Sequence, residues 1–156
     1  MAAQYSDIAV VGHFSIDTIV LPSRTTPFVI LGGAATYTSF AAKRLDATVS
    51  VISKVGGNFP EAYLWWLGQE GIDISGVTKL AGEPTTCFEL TYSKDLSART
   101  LKLKSKGPAL SPEDVPKDFH AKAIHIAPIA NEIPYEVVEQ LKQCADTLSL
   151  DPQGLL

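Results

Sequence analysis

Short continuous apolar runs alternate with stretches of helical period along most of the chain, and that alternation predicts an α/β fold. Ile8 to Val11 is apolar throughout and ends at Gly12, as suits a strand buried on both faces of a parallel sheet. Ile16 to Leu21 reads as a second extended piece, with β-branched residues around Asp17 and Thr18 and a stop at Pro22. Phe28 to Leu31 is a third, and it leads directly into Gly32-Gly33. Beyond the glycines Tyr37, Phe40, Ala41 and Leu45 recur at helical spacing. The glycine pair therefore sits at a strand-to-helix junction, where backbone amides point outward. Thr48 to Val55 predicts another buried strand, closed by Gly56-Gly57. Asn58 is placed as the N-cap of the next helix, with Glu61 as its capping-box partner. Phe59, Ala62, Tyr63, Trp66 and Leu67 form one apolar stripe that Gly71 ends; Trp66 is expected in the core and Trp65 partly exposed.

The middle of the chain changes character. Thr86, Phe88, Leu90 and Tyr92 alternate with Cys87, Glu89 and Thr91, and Leu101 and Leu103 alternate with Lys102 and Lys104. With Ser93-Lys94-Asp95 as turn chemistry, this predicts an antiparallel hairpin with one wet face, part of a separate small sheet. Ser111-Pro112-Glu113-Asp114 starts a short helix, serine as cap and proline first. Ile124 to Ala127 is the next buried strand, and a helix from about Pro134 to Ala145 places Val137, Leu141 and Cys144 on one side. Leu148 to Leu150 is the last strand, ended by Asp151-Pro152. A parallel sheet whose final strand lies at the end of the chain is expected to lack neighbours, and the carboxyl end of such a strand is where α/β proteins place ligands. The expected division is an α/β core of about 7–14, 32–82 and 108–156 with β-lid segments of about 15–31 and 83–107.

Composition narrows the function. At 156 residues the chain is long enough for one domain with a real core, and 46% hydrophobic against 19% charged residues argues against disorder. No apolar run is long enough to span a bilayer, and Met1 to Asp7 lacks the layout of a secretory signal. A net charge of -4 disfavours nucleic acid as a partner, and two cysteines, Cys87 and Cys144, make no disulfide framework. A cytoplasmic protein that handles something small is expected, with no membrane partner.

Three polar or glycine-rich points converge on strand ends: Ser15 with Asp17, Gly32-Gly33, and Gly56-Gly57-Asn58. Asp17 interrupts an apolar run, an expensive place for a carboxylate without a partner. Vicinal alcohols of a ligand would serve, and so would nearby backbone amides. Gly32-Gly33 suits close backbone approach by a ligand or a tight turn. Neither standard phosphate fingerprint, Gly-x-x-x-x-Gly-Lys-Ser/Thr nor Gly-x-Gly-x-x-Gly, occurs. His13, His120 and His125 lack metal-pair spacing; His13 reads as a satisfied structural histidine, Cys144 as core, and Arg99, Lys102, Lys104 and Lys106 as a solvated basic edge.

Taken in order, Val11-Gly12-His13-Phe14-Ser15-Ile16-Asp17, Leu31 to Thr38, Val55 to Phe59, Gly71-Ile72-Asp73 and Pro84-Thr85-Thr86 resemble the ribokinase-like (PfkB) carbohydrate kinases. The likeness runs along essentially the whole chain but covers only the N-terminal half of such an enzyme. It implies a Rossmann-like, mostly parallel sheet with flanking helices and a small antiparallel β lid that closes over the sugar or forms a homodimer contact. It also implies substrate binding by Ser15, Asp17, Gly32, Gly33, Tyr37 and Asn131, with Glu132 nearby, and a nucleotide contact at Asp151. Many members carry asparagine where Ser15 and Tyr37 stand; exchanging an amide for a ring counts against ribose and towards the inositol-kinase-like branch. Asn58 and Pro60 likewise replace a common Asp and Gly.

The family's Gly-Ala-Gly-Asp motif, whose aspartate is the general base and whose amides support the transferring phosphoryl group, does not occur in the 156 residues. The expectation is the sugar-binding half of an ATP-dependent kinase acting on a small sugar, polyol or nucleoside. ATP and Mg2+ would then serve the complete enzyme, no catalytic residue and no metal ligand would lie in this chain, and the chain alone would be inactive. The competing expectations are a non-catalytic polyol-binding or regulatory module, and a fragment whose unpaired edge promotes association.

Overall fold

The structure is a computed structural model that describes residues 5–155. Five strands, β1 (Tyr5–Val11), β4 (Val49–Gly56), β5 (Ile72–Leu80), β8 (His120–Ile126) and β9 (Ala145–Leu150), form one sheet in the order β5-β4-β1-β8-β9. Every neighbouring pair in it is parallel. β1 lies at its centre, and Ala9, Val10 and Val11 are fully buried, as the continuous apolar run requires. On one face α1 (Ala34–Arg44) and α2 (Glu61–Gln69) cover a core of Val10, Phe14, Val51, Val55, Phe59 and Leu67. On the other, α3 (Tyr135–Leu141) covers Ile52, Ile124, Val137 and Leu141, together with Leu110 and Val115 beside the 3-10 turn Pro112–Asp114.

The remaining strands, β2 (Ser15–Val20), β3 (Phe28–Gly32), β6 (Cys87–Tyr92) and β7 (Arg99–Ser105), form a second sheet in the order β3-β2-β6-β7. The β6–β7 hairpin is antiparallel, as the period-two pattern predicts. The small sheet as a whole is mixed rather than antiparallel, because β2 and β6 pair parallel. Both strands leave the same end of the core sheet, β2 after β1 and β6 after β5, so they run outward side by side.

Local differences have local causes. Asn58 does not cap α2: the helix begins after Pro60, and Asn58 Oδ1 instead accepts the Thr85 N–H at 2.8 Å. Trp66 is not in the core; it is 40% exposed and stacks on Phe40 at 4.7 Å between centroids, while Trp65 is more exposed still. α3 stops at Leu141, and Cys144 lies half-buried beyond it. β5, for which the apolar pattern gave no signal, is a nine-residue strand with a register shift against β4 between Ser50 and Ile52. β9 is largely exposed rather than buried, since it pairs only with β8.

Helix α1 has the expected period with the opposite phase. Its buried residues are Ala35, Thr36 and Ser39, whereas Tyr37 is 59% exposed and Leu45 81%. The cause lies at its start, where Gly33 (φ 92°) is pressed against the neck between the sheets. A Cβ there would come within 2.6 Å of the His13 carbonyl oxygen, so only small side chains fit below the helix.

Candidate acceptor site

A cavity of about 450 Å3 lies between the carboxyl end of the core sheet and the inner face of the small sheet. Its size suits one small ligand, and its place is the usual one for an α/β protein. β2 carries Ser15 and Asp17 into it, both on one face because residues two apart on a strand share a side. The register that pairs Asp17 with Phe88 and Leu90 with Leu101 puts all of these on the same face of the small sheet. Phe88, Leu90 and Leu101 therefore form an apolar roof with Arg99 at its rim, while Gly33, Ala34 and Tyr37 of the α1 start and Ile129 and Gln153 complete the wall.

Asp17 is the charged acceptor in this space. Its Oδ1 accepts the Ser15 hydroxyl at 2.7 Å, and Oδ2 has no partner among the described residues. Burial pushes its carboxyl above the ordinary range, and the Ser15 hydrogen bond only partly opposes that shift. The backbone-amide reading of Asp17 is not what the structure contains. Gly32 is not itself on the cavity wall, yet it abuts both polar side chains: a Cβ there would lie 2.1 Å from Asp17 Oδ2 and 2.9 Å from Ser15 Oγ. No side chain caps α1, so the positive end of its dipole opens beside the same space.

Two expected residues stand elsewhere. Asn131 is exposed and off the cavity wall; its N–H donates to the Gly154 carbonyl and its own carbonyl accepts from Lys106. Asp151 is also off the wall, its N–H bonded to the Ile126 carbonyl and its Oδ1 accepting the Gln153 N–H. Among the described residues no three His, Cys, Asp or Glu side chains converge as metal ligands.

Glu132 has a role that its sequence context did not show. It is fully buried, and its carboxylate accepts the N–H groups of His13, Ile129 and Ala130, which fixes the loop that carries Ile129 to the cavity. A charged residue between Pro128 and Pro134 in an apolar segment was the available signal. Arg99, Phe88 and Gln153 carried none, because they meet only through the pairing of the small sheet and the chain's last turn.

The sequence pattern of the pfkB family carbohydrate kinases matches residues 6–153. A cytidine kinase from Thermococcus kodakarensis is 32% identical over 149 residues, which is 94% of this chain and 52% of that protein. A pyrophosphate-dependent kinase in the ribokinase family, solved as a sulfate complex, superposes with a TM-score of 0.78 at 25% identity, over 96% of this chain and 51% of that one. A pyrophosphate-dependent kinase of that family in complex with a pyrophosphate analog and myo-inositol superposes at 0.75 with 24% identity, over 94% and 49%. The chain thus spans about half the length of the relatives it matches. With its sheet order, its glycine-pair junction and this end-to-end match, the chain belongs to the pfkB family of carbohydrate kinases.

Proposed function

We propose that this chain forms the acceptor-binding part of a kinase that phosphorylates a hydroxyl of a small polyol, sugar or nucleoside. The observation that carries the reading is Asp17: a half-buried carboxylate with one oxygen open to a cavity that an uncapped helix start also faces. An ionised carboxylate there accepts hydrogen bonds from vicinal hydroxyls, and Ser15 orients it. The four-stranded sheet acts as the lid, and Tyr37 and Phe88 admit a ring rather than a bare chain. ATP and Mg2+ serve the complete enzyme.

Calorimetric titration of the chain with cytidine and with myo-inositol tests the reading: one of them binds, and Asp17→Asn abolishes most of that binding. Binding of neither, or equal binding by the variant, refutes it. The isolated chain produces no phosphorylated product from ATP or pyrophosphate; turnover by the pure 156-residue protein would overturn that part. Adding a separate chain that bears Gly-Ala-Gly-Asp restores turnover, and failure to do so would leave a non-catalytic polyol-binding module. A second copy docks against the lid sheet, and a monomer in sedimentation counts against this.

A further inference from the structure

Four segments join the core to the small sheet, and all four meet at one side chain's residue. His13 lies in the first, between β1 and β2, and is fully buried. Thr86, at the end of the crossing from β5 to β6, places its hydroxyl 2.8 Å from His13 Nδ1. Pro108, on the return from β7, places its carbonyl oxygen 3.1 Å from Nε2. Gly33, between β3 and α1, packs on the His13 carbonyl so closely that a Cβ would come within 2.6 Å of it.

With a neutral ring the network permits one proton arrangement. A carbonyl only accepts, so Nε2 carries the proton and Nδ1 accepts from the Thr86 hydroxyl. The Thr86 oxygen in turn accepts the Gly107 N–H at 2.9 Å. Donors and acceptors therefore run in one direction from Gly107 through Thr86 and His13 to Pro108. The His13 N–H is held separately at 3.1 Å by buried Glu132, whose carboxylate also fixes Ile129 on the cavity wall. A Cβ placed on Gly107 would lie 3.2 Å from Thr86 Oγ1 and 3.3 Å from His13 Cε1, so a side chain there fits only if the relay gives by a few tenths of an ångström.

We infer that His13 is a positioning residue: as the Nε2–H tautomer, hydrogen-bonded to Thr86 and Pro108, it fixes the angle of the small sheet over the cavity. The inference is independent of which acceptor binds. A second ring proton at Nδ1 would leave the Thr86 hydroxyl without its acceptor and loosen two crossings together. Burial holds the imidazole below its usual range; Glu132 pulls the other way, and Lys106 and Lys54 add to the lowering. Glu132 lies on the β8–α3 loop, Lys106 just after β7 and Lys54 on β4.

Ring 15N shifts and amide exchange of the intact chain test this without any ligand. At pH 7 His13 should show one protonated nitrogen, Nε2, and one bare one; an Nδ1–H tautomer or a doubly protonated ring overturns the inference. In His13→Phe, amide exchange in β2, β6 and β7 should accelerate about tenfold or more while β1 and β4 are unchanged. On acidification, exchange in the wild-type small sheet should rise beyond its intrinsic rate, and the variant should lose that rise. Equal acceleration of core and small sheet, or none, means His13 is only a packing residue. If His13→Phe fails to fold, Thr86→Val removes the relay alone and should show the same selective loosening; uniform or absent change there overturns the inference equally.

Discussion

Replacing Asp17 by Asn should stabilise the protein and at the same time weaken its hold on the acceptor. The carboxylate is half-buried with a single protein hydrogen bond, from Ser15, and burial raises its proton affinity in the fold. The sign follows from linkage. A carboxyl whose folded-state pKa lies above its unfolded value contributes most below the unfolded value, and that contribution is lost as pH rises through the raised one. At neutral pH the ionised group is therefore a net cost. Asn keeps the volume and can still accept the Ser15 hydroxyl, so the variant removes the charge alone. Relief of about 1 kcal/mol is the scale for a partly desolvated polar group, and it corresponds to a melting temperature roughly 2–4 °C higher for a chain of this size. The acceptor loses at least one hydrogen bond to a charged group, about 1.5–3 kcal/mol, or roughly 10–150-fold in affinity. Thermal melts at pH 7 and pH 4, paired with calorimetric titration of the ligand, measure both sides. The stabilisation should shrink at the lower pH. A variant that melts several degrees lower and binds as well as the wild type would show that Asp17 is a structural strand residue.

Three further outcomes follow from the same geometry. Gly32→Ala puts a methyl 2.1 Å from Asp17 Oδ2, so it should cost about 1–3 kcal/mol in urea denaturation and remove acceptor binding even though Asp17 is intact. Lys54 and Asp114 form an ion pair at 2.7 Å with side chains only 13% and 11% exposed, so Asp114→Ala, which leaves the cation only the Ala109 carbonyl and the Ser111 hydroxyl, should cost about 3 kcal/mol by chemical denaturation. In the β6–β7 turn the hydroxyls of Ser93 and then Ser97 pull the Asp95 carboxyl down to about 2. Its stabilising contribution is present above the ordinary carboxylate range and fades as pH falls through about 2, and a carbon-detected titration should place the midpoint there.

β1 and β4 were legible because they are buried on both faces, and the helix starts because glycine or proline stands before each. β1, β4 and β8 stand where the apolar runs are, and the 3-10 turn has Ser111 as its cap, with both halves of a capping box formed with Asp114. β5 was not legible, because Ile72-Asp73-Ile74-Ser75-Gly76 breaks the apolar run and only pairing with β4 makes it a strand. The parallel β2–β6 contact was also hidden, since period-two alternation reports a wet and a dry face but not which strand lies alongside.

The reversed phase of α1 shows where pattern reading stops and tertiary packing takes over. Binary patterning assumes that a helix turns its largest apolar residues to the sheet. Here the glycine pair brings the helix start so close to the neck that Ala35, Thr36 and Ser39 must face inward, with the Thr36 hydroxyl donating to the Gly32 carbonyl at 2.6 Å. The displaced residues are then available elsewhere. Tyr37 walls the cavity beside Asp17 on one side and, with Phe40, Arg44 and Trp66, an apolar groove on the other. A helix chosen only for stability would exchange these positions. That exchange would thicken the contact at Gly33, push α1 away from Ser15 and Asp17, and open the site. The local rule gives way to the close approach of Gly33 to the His13 carbonyl.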